Sequence, residues 1–321
     1  MDKTFWWLLK LQTNRQLNKG FTLIELLVAA IVSVLVITPL LGLAVSLLET
    51  DKVEGSRATT EQEMQSALDL IARDVEQAVY IYDSTGVAAI EKQLPHSGND
   101  NIEPILVFWK QEYIPDIVPV ANISRNTEYD CGSNPENCDD AQVYSLVAYY
   151  LRTDENDTWS EAGRISRFQI RDRVQDPYAE PDSSGDIPTV NVASDIANKD
   201  DGFALFNPQA QNTLEASMNA WTKGSGDYSN DLEVVVDYIY QGSEAPNFVQ
   251  DCSVISDDTE ALGNNNGGFF ACVDSERAIA KVFLRGNVAA RMDKDIEYND
   301  NKPAWFPTSS TSVQGRGSLG F

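Results

Sequence analysis

Residue types that catalyse reactions are sparse in this chain of 321 residues. His96 is the single histidine, which excludes any site that needs two imidazoles, including most zinc hydrolase sites. No G-x-S-x-G, P-loop or H-E-x-x-H pattern occurs. Residues 315–320 match G-x-G-x-x-G, but one residue follows, so no helix can receive a dinucleotide there and we expect a flexible tail. We predict that the chain is not an enzyme.

Acidic residues are abundant, with 49 Asp and Glu against 24 Lys and Arg, and the formal charge is −25. A surface this acidic repels phosphate backbones, so we predict no nucleic-acid partner. The acids cluster at residues 139–140, 154–157, 257–258 and 293–297. The last cluster alternates like a calcium loop, but Tyr298 stands where such a loop needs glycine. We expect a solvated surface, no metal and no cofactor, and a structural calcium ion stays open as the alternative.

Glu25 is the one charged residue in an apolar run over residues 21–48. An acid inside such a segment costs about 2.5–3.5 kcal/mol on membrane insertion, which a plain anchor has no reason to tolerate. The segment itself contains no cation. The sequence therefore indicates that Glu25 meets a partner from outside the segment.

The apolar run is long enough to cross a membrane. Its 28 residues would make a helix of about 42 Å, against a hydrocarbon core of about 30 Å. Basic residues precede the run and acids follow it, which places the N-terminus in the cytoplasm and the bulk outside. A secretory signal peptide fits poorly, because the run is too long and lacks a cleavage site of small residues. We predict a single-pass inner-membrane protein with a head in the periplasm or at the cell surface.

Residues 19–25, KGFTLIE, resemble the processing site of type IV pilins and of the pseudopilins of type II secretion systems. The resemblance implies that residues 1–20 are a leader, which a prepilin peptidase removes by cutting between Gly20 and Phe21. Phe21 is then N-methylated. It also implies four partners: other pilins or pseudopilins, the prepilin peptidase, an inner-membrane assembly platform and the lipid bilayer. The leader carries a net charge of +3, so the mature chain has a formal charge of −28.

Physical reasoning about Glu25 agrees with this resemblance. In a filament of packed apolar helices, Glu25 can meet the ammonium that cleavage creates at Phe21 of a neighbour. Pairing makes the two buried charges tolerable and fixes the axial register of each incoming subunit. Pro39 and Gly42 interrupt the helix interior. We expect a kink or local melting there that helps extraction from the membrane, or simply a tolerated transmembrane kink.

The rest of the chain predicts an α+β fold, in which a long N-terminal transmembrane and stalk helix packs on an antiparallel β-sheet head. Apolar residues recur at helical spacing from Met64 to Tyr82, which predicts an amphipathic stalk helix within residues 49–83. A break or bend is expected near Gly55 and Ser56. Residues 84–321 form the predicted head, with one further helix over 208–221. Strands are predicted over residues 105–110, 142–152, 164–171, 232–241 and 278–291. The long loops 172–202 and 242–268 are expected to be solvated.

Four cysteines lie beyond the apolar run, and an even number outside the cytoplasm favours disulfides. Three connectivities are possible, of which we favour the nearest-neighbour pairs Cys131–Cys138 and Cys252–Cys272. A zinc site is the competing use, but the chain lacks C-x-x-C spacing and a nearby histidine.

Over its whole length the chain is similar to a cyanobacterial family, the hormogonium polysaccharide secretion pseudopilins. Residues 6–9, 21–51 and 58–83 carry this likeness. The resemblance implies a minor pseudopilin in a filament that supports extracellular polysaccharide secretion and gliding motility. Because a charge of −28 repels an anionic polymer, we expect filament assembly rather than direct binding of such a polysaccharide. A tip adhesin or ligand-binding minor pilin of a type IV pilus is the alternative.

Overall fold

The structure, a computed structural model, describes residues 20–124, 127–242, 252, 259–264, 266–299 and 301–317. The chain divides into two compact units, Met1–Lys52 and Val53–Phe321, and each is described by itself. Of the predicted leader, only Gly20 lies within the described residues.

The longest element is helix α1, Leu23–Glu76, which contributes residues to both units. No break occurs near Gly55 and Ser56, because the helix continues through both residues, and the alternative of a bend stays a prediction. A Cβ at Gly55 would meet no atom within 4 Å, so this glycine serves neither a turn nor a close contact. A glycine inside a helix costs about 1 kcal/mol relative to alanine, which a helix of 54 residues can absorb.

Helix α1 ends at Glu76, before the end of the predicted stalk at Asp83. The next residues form strand β1, Ala78–Ile81, so Val79 and Tyr82 do not extend the helical stripe. The segment AVYI is rich in β-branched and aromatic side chains, and it pairs with the next strand of the chain. Its pairing therefore outweighs the helical spacing that the sequence shows.

The described head contains two antiparallel sheets. The first has the order β1-β2-β3-β4-β5, with β2 Ile102–Pro119, β3 Cys138–Arg152, β4 Gly163–Arg171 and β5 Glu233–Ile239. Four of the predicted strand segments overlap β2 to β5. The long apolar helix and the antiparallel sheet confirm the predicted α+β, pilin-like fold.

The second sheet has the order β6-β7-β8-β9, with β6 Glu260–Leu262, β7 Phe269–Asp274, β8 Ile279–Arg285 and β9 Thr308–Gln314. The sequence predicted β8 alone, as part of residues 278–291. That strand ends at Arg285, because the Asn287 side chain accepts a hydrogen bond from Ala290 N at 3.0 Å and starts a short helix.

Three short helices accompany the sheets: α2 Ser84–Ile90, α3 Leu214–Asn219 and α4 Val288–Arg291. The helix predicted over 208–221 is confined to α3, which begins where Thr213 Oγ1 accepts a hydrogen bond from Ala216 N at 3.1 Å. The residues before Thr213 form turns instead.

The main core lies where the second half of α1 packs against the head. Met64, Leu68, Ile71 and Val75 are fully buried there and belong to one apolar cluster with residues of both sheets. These four residues follow the helical stripe that the sequence predicted. Burial of a large apolar side chain contributes about 1.5–3 kcal/mol, so this stripe is a main source of the head's stability.

A buried ion cluster crosses this packed interface. Asp74, near the end of α1, is an acid of which only 6% is exposed. Its Oδ1 accepts a hydrogen bond from Lys110 Nζ at 2.9 Å, and its Oδ2 accepts from Arg167 Nε and Tyr149 OH, both at 2.7 Å. Asp74 is three residues after Ile71, so one helical turn places it beside the apolar stripe.

The charged neighbours determine the pKa of Asp74. Burial raises this pKa, but the hydrogen bond and charge of Arg167 and the charge of Lys110 outweigh burial, so that the pKa lies below its ordinary value. Burial and the adjacent Asp74 carboxylate raise the pKa of Tyr149. Asp74 is therefore ionised and Tyr149 neutral at pH 7, as their hydrogen bond requires.

Two segments expected to be solvated or flexible are packed in part, although most residues of the loop 172–202 are exposed or half-buried, as expected. Val174, Val190 and Ala197, within the loop 172–202, are buried in a second small apolar cluster. Gly315 was predicted to start a flexible tail, but its N–H donates to Ala278 O at 2.8 Å, and a Cβ there would lie 2.7 Å from Ala78 O. The last four residues, and most of the second predicted loop, lie outside the described residues.

Candidate functional site

The described part of the candidate site begins with the residues that start helix α1. Gly20, Phe21 and Thr22 precede the helix, and Thr22 caps it. The Thr22 hydroxyl accepts a hydrogen bond from Glu25 N at 3.3 Å, and its carbonyl accepts one from Leu26 N at 3.1 Å. A threonine at this position satisfies a backbone N–H group that has no partner within the helix.

Glu25 lies in the first turn of α1, three residues after the capping threonine. Thr-x-x-Glu is the capping-box spacing, and a carboxylate near a helix N-terminus is also stabilised by the helix dipole. The side chain is exposed, and its carboxylate forms no ion pair with the described residues. The N-terminal end of the helix therefore stabilises the Glu25 carboxylate, but the described residues provide no cation to pair with it.

The surface beyond Glu25 is apolar and exposed. Phe21 is 79% exposed and Leu23 is 87% exposed, and every described residue from Gly20 to Asp51 is in the exposed class. Among the described residues, α1 is the one helix long and apolar enough to cross a membrane. Such a surface requires lipid or the helices of other subunits around it.

Pro39 and Gly42 lie within an uninterrupted stretch of α1. The predicted local melting is therefore wrong for this structure, and the bend stays a prediction. Pro39 lacks the N–H that would bond the carbonyl of Leu35. One residue earlier, the Thr38 hydroxyl donates to Val34 O at 2.8 Å, which keeps its polar atom bonded inside an apolar segment.

The two glycines of this segment differ in what they can do. A Cβ at Gly20 or at Gly42 would meet no atom within 4 Å, so neither is required by local packing. Gly42 is inside the helix, whereas Gly20 stands before it, next to the predicted cleavage point. A requirement for glycine at position 20 must then come from an outside protein that recognises this backbone.

The cysteines are joined as Cys131–Cys138 and Cys252–Cys272. This is the nearest-neighbour pairing that the sequence analysis favoured. The first closes a turn before β3, and the second ties Cys252 to β7. Each restricts one loop of the unfolded head.

His96 and the described acidic residues do not form a metal site. His96 is exposed in a turn after α2. Over the described residues, no three or more His, Cys, Asp or Glu side chains are grouped so that they could hold a metal ion. Asp293 and Glu297 are exposed, and residues 257–258 lie outside the described ranges.

The comparison with known families identifies the N-terminal segment. Residues 15–41 match the prokaryotic N-terminal methylation motif, which includes Gly20, Phe21 and Glu25. No curated protein and no solved structure matches the chain. The chain carries the N-methylation motif of prokaryotic type IV pilin-like proteins, and its apolar helix fits a membrane-anchored pilin.

Proposed function

We propose that this chain is a minor pseudopilin, cut by a prepilin peptidase between Gly20 and Phe21, N-methylated at Phe21 and assembled through α1 into a filament. The observation that carries the proposal is the N-methylation motif at the start of an exposed apolar helix. In the membrane, lipid covers this helix. In the filament, the helices of neighbouring subunits replace the lipid.

Glu25 has the central part in the proposed assembly. Its carboxylate receives no charged partner from its own described residues, and a charge buried among apolar helices is costly without one. Cleavage creates an ammonium at Phe21 of a neighbouring subunit. A subunit that enters the filament in the correct register pairs these two charges, whereas a misplaced one leaves both unpaired.

The proposed orientation follows from charge. The basic leader stays in the cytoplasm, where the peptidase and the assembly platform act, and the acidic head lies outside. Both disulfides are in the head, which agrees with an oxidising compartment. The proposed partners are other pilins or pseudopilins, the prepilin peptidase, the assembly platform and the bilayer.

The filament would support export of extracellular polysaccharide and gliding motility, as the resemblance to the hormogonium pseudopilins implies. A strain that lacks the gene should lose secreted polysaccharide and motility, and the wild-type gene should restore both. Normal export and motility in the deletion strain would contradict this role while leaving the filament proposal intact. A filament that forms normally without this chain, with loss of surface attachment alone, would favour a tip adhesin.

Mass spectrometry of the N-terminus tests the processing step. Protein isolated from its host should begin with methylated Phe21. The variant Gly20→Ala should retain residues 1–20, because the peptidase loses its glycine while the local fold has room for a methyl group. Gly42→Ala is the matched control, since it also adds a Cβ in open space and should be processed normally. Functional wild-type protein that keeps residues 1–20 would overturn the proposal.

A further inference from the structure

A cleft of about 610 Å³ opens on the head between the start of β3 and the loop that follows β4. Its size lies within the usual range of small-molecule sites, about 300–1,000 Å³. The cleft is separate from the N-terminal motif and from the buried cluster around Asp74. Its floor includes Val118, Val143 and Val174, which belong to the small apolar cluster of the loop 172–202.

The walls of the cleft offer apolar surface at its mouth. Tyr178 is 49% exposed and Leu205 is 51% exposed, although both line the cleft. The Tyr178 hydroxyl donates to Asp139 Oδ2 at 3.3 Å, which orients the ring. An aromatic ring held in this way provides a flat apolar face beside polar groups.

The polar groups of the cleft include both acceptors and a donor. Asp139, Asp140 and Asp172 line it and accept hydrogen bonds when ionised. Arg173 also lines the cleft; its side chain is 22% exposed, and its Nη2 lies 3.2 Å from Asp186 Oδ1. A guanidinium has five N–H donors, so this one ion pair leaves donors for a ligand.

These groups select a class of ligand. Three carboxylates against one guanidinium give the cleft a surplus of negative charge, which repels phosphates and uronic acids. Sugar hydroxyls donate and accept at once, so they can donate to the carboxylates and accept from the Arg173 guanidinium. The C–H face of a hexose ring can lie on Tyr178.

We propose that this cleft binds a neutral saccharide. The site concerns the head alone and does not depend on filament assembly or on cleavage after Gly20. It adds a ligand of stated chemistry to a proposed filament subunit. A negatively charged polymer, by contrast, is excluded from the same cleft.

Titration calorimetry on the full chain in phospholipid nanodiscs tests the proposal, because a detergent with a sugar head group would compete. The probes are cellotetraose, maltotetraose and laminaritetraose, with tetragalacturonic acid and tetralysine for comparison. At least one neutral tetrasaccharide should bind, and tetragalacturonic acid should not. Tyr178→Ala should weaken saccharide binding about tenfold, which corresponds to about 1.4 kcal/mol for a stacked ring.

Trp159→Ala is the control. Trp159 is also an exposed aromatic residue, 45% exposed, but it does not line the cleft. It should leave saccharide binding unchanged. If Tyr178→Ala lowers the melting temperature, Leu205→Ala replaces it and should also weaken binding.

Three outcomes would overturn the saccharide site. The first is that none of the neutral tetrasaccharides binds at millimolar concentration. The second is equal weakening by the Tyr178 and Trp159 variants, which would place binding elsewhere. The third is binding of tetralysine without binding of any saccharide, which would make the cleft a site for basic peptides.

Discussion

Helix α1 carries two carboxylates beside apolar residues, and their surroundings are opposite. Asp74, near its C-terminal end, is buried and receives hydrogen bonds from Lys110, Arg167 and Tyr149. Glu25, in its first turn, is exposed, with no charged partner among the described residues of its unit. The head thus supplies the cations for Asp74, whereas the described residues supply none for Glu25.

This difference separates folding from assembly. A buried acid that is paired within its own domain fixes how a helix packs on a sheet, and its removal weakens the fold. An acid in an apolar segment without an internal partner adds nothing of this kind to the monomer. In the proposed filament, the ammonium of another subunit supplies the charged partner that this acid lacks.

Replacing Glu25 should have the largest effect. Glu25→Gln keeps the shape and the hydrogen bonding of a capping box but removes the charge. We expect loss of filament incorporation with unchanged membrane insertion, measured by filament shearing and by membrane fractionation. Glu54→Gln, an exposed acid further along α1, should assemble normally.

The same pair of variants can also contradict the view that Glu25 acts in assembly whereas Asp74 acts in folding. Normal assembly of Glu25→Gln would show that residue 25 acts as a helix cap and that no intermolecular ion pair is needed. Equal loss in both variants would mean that the charge of the whole segment matters rather than the position of Glu25.

Replacing Asp74 should destabilise the head strongly and leave the N-terminal motif untouched. Asp74→Ala leaves Lys110 and Arg167 without their shared carboxylate, and breaking such a buried pair costs about 3–5 kcal/mol. Chemical denaturation followed by tryptophan fluorescence measures this loss. Asp69→Ala is the control, since Asp69 is exposed on the same helix and bonds only to Gln65 among the described contacts. A loss below about 1 kcal/mol for Asp74→Ala would show that the cluster is not needed for stability.

Removing the disulfides should cause the next largest loss in the free energy of unfolding. It also tests whether bonds within the head stabilise the head. Cys252 and Cys272 are 20 residues apart, and Cys131 and Cys138 are 7 apart. Chain entropy gives about 3 kcal/mol for the longer loop and about 2.5 kcal/mol for the shorter. One double variant replaces Cys252 and Cys272 with alanine, and the other replaces Cys131 and Cys138. Chemical denaturation of both measures which loses more free energy of unfolding. A larger loss from the shorter loop would show that contacts of the Cys131 turn, rather than loop length, decide the cost.

The N-terminal part of the molecule was the easiest to predict from sequence. Its signals are local, because Gly20, Phe21 and Glu25 stand within six residues and the apolar run follows directly. Strands β2 to β5 were also indicated, since each contains a run of β-branched and aromatic residues. Local composition alone carries this information.

The parts that were missed depend on residues far apart in the chain. Asp74 meets Lys110 and Arg167, which are 36 and 93 residues away, so its burial cannot be inferred from the neighbouring helix sequence. Strand β9, TSSTSVQ, is polar and lies at the edge of its sheet, where backbone pairing with β8 rather than side-chain burial defines it. The cleft combines β3 with a loop that contains no regular hydrophobic pattern.

The smallest predicted effect is a loss of stability in acid that depends on Asp74. Its folded pKa lies below the ordinary aspartate value of about 3.9, because the charges of Arg167 and Lys110 outweigh burial. The stabilisation is therefore complete above that value and is lost as the pH falls through the lower, folded pKa. Arg152 and Tyr113 likewise lower the pKa values of Asp154 and Asp140 through hydrogen bonds, so wild type alone cannot assign the effect. The difference in unfolding free energy between wild type and Asp74→Asn should be constant from pH 5 to pH 7 and should shrink in stronger acid. A difference that stays constant below pH 3 would mean that Asp74 contributes as a hydrogen-bond acceptor and not through its charge.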